Sequence, residues 1–342
     1  MKRVVTFGEI MLRLSPPGFE RFLQSPVLGA TFGGGEANVA VSVAQFGLDS
    51  EYITRLPAHA IGEAAIRALR MEGVGTSRIL RGGSRIGVYY AEAGASQRAS
   101  TVIYDRARSS IAEMEPDAID WPAVLDGAAW FHTTGITPAL GAKCAESTSR
   151  ALQAAKAKGV RVSVDLNYRK KLWTEKQAQE VMGPLMKHVD LVIANEEDLQ
   201  SVLGVHVPGT DVTSGQLNFD GFRTAAQQVT RDFGPPDVAV TLRESVSASD
   251  NGWSALYWEG ATATMHRSQR YDVRLVDRIG GGDSFAGGLI YGLVTGRSPL
   301  DSLRFAVAAS ALKQSIPGDF NRVSVEEVDK LVSGDASGRV QR

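Results

Sequence analysis

Apolar residues in this 342-residue chain gather in short runs at wide intervals: VVTF (4–7), YIT (52–54), AWFHTT (129–134), VRVSVDL (160–166), DLVIAN (190–195) and DVAVTL (237–242). Each run is β-rich and too brief for a helix, which predicts buried strands. Between most of them lie segments such as EANVAVSVAQFG, IGEAAIRALRMEG and CAESTSRALQAAKAKG, with helical spacing of apolar positions. The last of these stops at a glycine, a common helix terminator. Strands alternating with helices predict an α/β fold, a doubly wound, mostly parallel sheet with helices on both faces. The C-terminal third turns to two long helical patterns, at about 282–297 and 300–315.

Two segments leave this rhythm. Residues 9–32 are turn-rich, with SPPG and short extended pieces. Residues 85–106 contain RIGVYYAE, a turn with GAS, and RASTVIYD, which predicts a hairpin with no helix between its strands. Together they are expected to form a small β-sheet projecting from the main body as a lid or a dimerisation surface. No repeat, low-complexity tract or linker composition divides the chain, so a single domain over 1–342 is expected.

Charge and cysteine content narrow the function classes. With 37 basic against 38 acidic side chains, nothing points to nucleic acid or an anionic membrane as partner. Cys144 is the only cysteine, which excludes an intrachain disulfide and a multi-cysteine metal site. No apolar run approaches the roughly 20 residues of a membrane span, and MKRVVTFGEI lacks a signal-peptide pattern, so a cytoplasmic location is expected.

The most informative string is IGGGDSF (279–285). Glycines before a helix expose backbone N–H groups at the positive end of the helix dipole, which suits an anion. A carboxylate beside such a turn repels a phosphate unless it takes a proton from a nucleophile attacking that phosphate. Phosphoryl transfer needs both parts, donors for the transferring group and an acid residue for the hydroxyl. Gly280, Gly281, Gly282 and Asp283 are therefore the catalytic candidates. A second run, FGGGEANVA (32–40), lacks the Gly-x-Gly-x-x-Gly spacing of a dinucleotide site. It offers bare backbone and the Asn38 amide to a polar ligand, although a helix cap accounts for the same residues.

Further candidates fall at predicted strand ends, where ligands sit in such sheets. DLNYR supplies Asp165, Asn167 and Arg169, and the arginine could clamp a carboxylate or phosphate. ANEED (194–198) joins an amide to three carboxylates, which suits a hydrated Mg²⁺ on a nucleotide or simply a helix's first turn. Tyr89, Tyr90, Tyr104 and Arg106 cluster on the hairpin, where Arg106 could grip an acidic substrate. The five histidines show no ligand spacing.

DRIGGGDSFAGGL, FGGGEANVA, DLNYR and ANEED together resemble the ribokinase/PfkB family of sugar kinases, over nearly the whole chain. GEIMLRLSPP, RIGVYYAEAGASQR, VIYDRARS, FHTTGITPALG, TLRES and LKQSIPGDF are most similar, within that family, to bacterial 2-keto-3-deoxygluconate kinases. The resemblance implies that Asp283 is the base and that the N–H groups of Gly280, Gly281 and Gly282 form the anion hole. It places Gly34, Asn38, Tyr89, Tyr104, Arg106, Ile136 (through its backbone) and Arg169 on a sugar acid. Asn195, Thr241 and Arg243, with Gly280 and Gly282, would lie along the nucleotide. It further implies Mg²⁺-ATP and homo-oligomers (dimer or higher) built through the lid, and it leaves a monovalent-cation requirement open.

Three departures from the family pattern stand out. Gly281 occupies the middle place of the usual Gly-Ala-Gly-Asp string. Asn-x-x-Glu becomes Asn195-Glu196-Glu197-Asp198, which leaves open whether Asp198 or Glu197 serves the metal through water. Arg243 enters the nucleotide loop where glycine is common. The expected activity is ATP-dependent phosphorylation of 2-keto-3-deoxy-D-gluconate at its 6-hydroxyl. The rivals are fructokinase, tagatose kinase or ribokinase activity and, in another class, a non-catalytic sugar sensor.

Overall fold

A computed structural model describes residues 2–209 and 218–335. Six strands run parallel at its centre, in the order Asp49–Ile53, Arg3–Phe7, Ala128–Thr134, Arg161–Asp165, Leu191–Ala194 and Asp237–Ser245. They are the six runs read from the sequence, and their burial is almost continuous along each strand. Continuous burial means both faces are covered, as in a doubly wound sheet. On one face Val39, Val43, Phe285, Leu289 and Val307 pack from three helices. On the other, Leu152, Met182, Val202, Phe222 and Val229 pack from four more.

The two C-terminal helices are Gly281–Thr295 and Pro299–Lys313, close to the expected spans. The sheet also extends where the sequence pattern did not announce it. Asp250–Glu259 pairs antiparallel with Asp237–Ser245, and then takes Thr264–Arg267 and Tyr271–Arg274 along its other edge. Together these make nine strands among the described residues.

A separate four-stranded sheet has the order Gly29–Gly33, Met11–Ser15, Gly87–Glu92, Thr101–Asp105. Its last two strands are the antiparallel hairpin expected from RIGVYYAE and RASTVIYD, with Tyr89 opposite Tyr104. The sheet is fastened to the main body by Arg13, which pairs with Asp277 at 2.7 Å and with Asp319 at 2.8 Å. Among the described residues, no helix is long and apolar enough to cross a membrane.

Candidate active site

The carboxyl ends of the parallel strands, the inner face of the small sheet and two glycine-led helices enclose a cleft of about 420 Å³. The first helix, Gly35–Gln45, follows Gly34, which sits in extended backbone where a Cβ would lie 2.0 Å from the Glu9 carbonyl oxygen. Only glycine lets these two strands of main chain pass so closely. The second helix, Gly281–Thr295, follows Gly280 at φ 82°, where a Cβ would meet the Asp319 carbonyl at 2.1 Å.

Within the second turn, the Gly281 N–H donates back to the Arg278 carbonyl at 3.3 Å. The following N–H groups, of Gly282 and Asp283, belong to a first helical turn and have no acceptor inside their own helix. They stand at the positive end of the dipole, and no atom comes within 4 Å of a Cβ built on Gly282. The turn is thus an open cradle of donors facing the cleft.

Asp283 lies on that turn with its Oδ2 accepting the Asn38 amide at 2.7 Å. Asn38 Oδ1 in turn accepts the Gly34 N–H at 3.2 Å, so this side chain ties one glycine run to the other. Burial pushes the Asp283 carboxyl up to about 6. The Asn38 hydrogen bond and the Arg169 charge oppose that rise, while the Asp319 and Glu36 carboxylates add to it. A group titrating there is ionised at neutral pH yet basic enough to accept a proton usefully.

The sugar-side candidates line the same cleft, and most already have partners. The Tyr89 hydroxyl donates to Asp319 at 2.6 Å, and the Tyr104 ring lies 6.1 Å from that of Tyr89. Arg106 sits over the Tyr104 ring and donates through Nε to Glu9 at 2.7 Å. That ion pair is buried, whereas the sequence suggested an arginine with its charge open to a ligand. Arg169 donates to the Tyr168 carbonyl at 2.8 Å, and its charge acts on Asp165, Asp198 and Asp283. The Ile136 N–H is taken by Thr134 Oγ1 at 3.1 Å, so a backbone contact from Ile136 would come from its carbonyl.

On the nucleotide side, Asn195 caps the helix Glu196–Leu203 by accepting the Asp198 N–H at 2.8 Å. Both Asp198 oxygens accept main-chain N–H groups, from Tyr168 at 2.8 Å and from Asn195 at 3.2 Å, and burial raises its pKa. Glu197 is exposed at the cleft edge. Thr241 donates to the Ala194 carbonyl at 3.4 Å, and Arg243 lies 5.7 Å from the Trp253 ring centroid. Among the described residues, no three His, Cys, Asp or Glu side chains form a metal cage.

The strand-end candidates Asp165 and Asn167, which the sequence left without a specific role, line the cleft, and so do Arg278 and Asp319, which it did not single out. Burial and the charges of Asp198 and Asp283 raise the Asp165 pKa well above the carboxylate range. The strand-end position of Asp165 was the available signal. Asp319 had none beyond a place in IPGDF, because its partners Arg13 and Tyr89 lie more than 200 residues away.

Residues 1–321 match the sequence model of the pfkB family carbohydrate kinases. The chain belongs to this family. It is 50% identical to the 2-dehydro-3-deoxygluconokinase of Thermotoga maritima, whose crystal structure superposes with a TM-score of 0.94, covering 98% of this chain and 100% of that one. It is 33% identical over 335 residues to the 2-dehydro-3-deoxygalactonokinase of Haloferax volcanii, covering 98% of each chain. An Escherichia coli protein assigned as a ribokinase II and solved with ATP and Mg²⁺ shares the fold, with a TM-score of 0.79 at 19% identity, covering 97% of this chain and 99% of that one. The chain is accordingly a sugar kinase.

Proposed function

We propose that this kinase transfers the γ-phosphoryl group of ATP to the 6-hydroxyl of 2-keto-3-deoxy-D-gluconate. The observation that carries the reading is a buried aspartate, raised to about 6, on the first turn of a glycine-led helix whose N–H groups face the same cleft. Asp283 accepts the hydroxyl proton as the sugar oxygen bonds to the γ-phosphorus. The bond from that phosphorus to the bridging oxygen breaks, and ADP leaves with the electron pair. The Gly280 and Gly282 N–H groups hold charge on the transferring group, where fixed donors are most effective. Mg²⁺, when bound, neutralises charge on the nucleotide phosphates. Glu197 is the carboxylate assigned to its hydration shell, because both Asp198 oxygens are already engaged.

An acidic substrate is supported by Arg169 on the cleft wall, while Arg106 lines the same cleft with its charge paired to Glu9. The Thermotoga relative is named for the gluconate epimer and the Haloferax relative for the galactonate epimer, so the galactonate is the second substrate to weigh. The small sheet is assigned as a lid that keeps water from competing with the sugar hydroxyl. Exposed Phe19, Leu23, Val27 and Ile103 on the lid segments support pairing of like chains there.

The test is ADP release over a panel of both 2-keto-3-deoxy acids, fructose, tagatose and ribose. The expected result is the highest kcat/KM with 2-keto-3-deoxygluconate and a 6-phosphate product. A higher value for any neutral sugar overturns the substrate assignment, and binding without ADP release on any of them would make the protein a sensor.

A further inference from the structure

The glycine turn has a built underside. Three carbonyls of segment 277–281 are each met by a side chain from the last turns of the helix Pro299–Lys313. Lys313 Nζ donates to the Asp277 carbonyl at 3.3 Å and to the Ile279 carbonyl. Ser310 Oγ donates to the Gly281 carbonyl at 2.7 Å. The Gln314 carbonyl, one residue on, accepts the N–H groups of Val276 at 2.9 Å and Asp277 at 3.2 Å. Lys313 is completely buried, and these hydrogen bonds go to main-chain oxygens rather than to a carboxylate.

A lysine is a costly residue to bury, so one placed here calls for an account. Burial lowers its pKa, while the carboxylates of Asp277, Asp319 and Asp283 pull the other way. The geometry supplies a reason for the placement. In a planar trans peptide, the carbonyl of one residue and the N–H of the next point in opposite directions. Holding the Ile279 carbonyl on Lys313 therefore turns the Gly280 N–H to the far side, toward the cleft that Gly280 lines. Holding the Gly281 carbonyl on Ser310 does the same for the Gly282 N–H. A run of three glycines has little conformational preference of its own, so its donors stay aimed only if something outside the run fixes the peptide planes.

We propose that Lys313 is a positioning residue for phosphoryl transfer, an internal cation that clamps the Asp277 and Ile279 carbonyls and so aims the Gly280 N–H at the transferring group. An ammonium seated on these oxygens also stands where a monovalent ion could otherwise bind, so the intact kinase needs no such ion from solution. The inference rests on the reading of the glycine turn as the phosphoryl-holding element.

Lys313→Met keeps the apolar stem and removes the donors. Its kcat is expected to fall about 10²-fold, the scale of a misplacement near 1 Å at a reacting centre. KM for the sugar acid should hardly change, because no residue of the sugar wall is altered. In Lys313→Ala, where space opens beside the two carbonyls, ammonium chloride or potassium chloride should restore part of kcat, and tetramethylammonium chloride should not. Wild-type kcat should be the same in potassium and tetramethylammonium chloride at equal ionic strength. A folded Lys313→Met with wild-type kcat, a folded Lys313→Ala that neither salt rescues, or a wild-type rate that depends on potassium would each overturn the proposal. The wild-type comparison decides even if both variants fail to fold. Asp283→Asn, assayed alongside, separates the two readings. If it is active, the assignment of the turn itself fails; if it is inactive while Lys313→Met is not, only the positioning role fails.

Discussion

Two glycine triplets followed by an acid open two helices of this kinase, and the two acids sit in contrasting surroundings. Glu36, after Gly33–Gly35, has one carboxylate oxygen that accepts from the Thr134 N–H (3.0 Å), the Thr134 hydroxyl (2.8 Å) and the Thr137 hydroxyl (2.6 Å). It is packed against Gly8 so tightly that a Cβ there would overlap its carboxyl group, at 2.1 Å. Asp283, after Gly280–Gly282, accepts one side-chain hydrogen bond, from Asn38, and opens onto the cleft. Burial raises the pKa of both. What separates them is donor supply: an acid held by three donors fastens a strand end to a helix, and an acid held by one remains able to take a proton. The string of letters is nearly the same, and the neighbours decide its chemistry.

The sharpest way to break the comparison is to neutralise each acid in turn. Asp283→Asn should lower kcat by about 10²–10⁴-fold, the usual contribution of a general base, while binding of both substrates survives. A variant that keeps more than about a tenth of wild-type kcat would remove Asp283 from the chemistry. Glu36→Ala should act on stability instead, by about 2–4 kcal/mol, because it strands three donors and opens a cavity. Denaturant unfolding measures that loss. A Glu36→Ala protein with unchanged stability and the turnover of Asp283→Asn would make the two acids equivalent.

Smaller effects refine the contrast. The kcat/KM of the wild type should fall on the acid side of about pH 6, as Asp283 takes up its proton. Asn38→Ala removes a hydrogen bond that favours the ionised form, so this limb should move to higher pH. A limb that stays put or moves down would show that Asn38 does not act through Asp283. Linkage gives the last test. The folded state holds the Asp283 proton more tightly than the unfolded chain, whose value is near 3.8, so its favourable contribution is complete below about pH 4 and lost as pH rises through about 6. At pH 8 the ionised carboxylate burdens the fold, and Asp283→Asn should be more stable than wild type by up to about 3 kcal/mol. A lower melting temperature for this variant at that pH would contradict the sign.

Much of the fold was legible because the six central strands are buried on both faces and so appear as unbroken apolar runs. Asp250–Glu259 was harder to read, since NGWSALYWE mixes polar and aromatic residues although nearly all of them are buried. Its neighbours Thr264–Arg267 and Tyr271–Arg274 are short, half-exposed edges with no strong period. The helix Phe219–Phe233 went unread despite its signals, an Asn218 cap and a left-handed Gly234 after its last turn. Among the cleft-lining residues, those the sequence had named, including Asp283, Asn38 and Arg169, are carried by local motifs. Glu9 and Asp319, which no such motif singles out, were not named. Glu9 meets Arg106 across 97 positions and Asp319 meets Arg13 across 306, and no local pattern encodes either pairing.

The Arg13 bridge has a mechanical consequence. Arg13 lies on an inner strand of the small sheet, and its partners Asp277 and Asp319 belong to the loops that cradle the glycine turn. Lifting the whole sheet as one flap would tear two nearly buried ion pairs and the Tyr89–Asp319 bond together. A movement that kept these contacts would have to pivot at Met11–Ser15 and shift chiefly the outer strands, Gly29–Gly33 and Thr101–Asp105. For anyone grafting this sheet onto another kinase scaffold, Arg13, Asp277 and Asp319 form one indivisible fitting: a transplanted sheet without its two anchoring carboxylates would carry an unmatched buried cation to the edge of the catalytic turn.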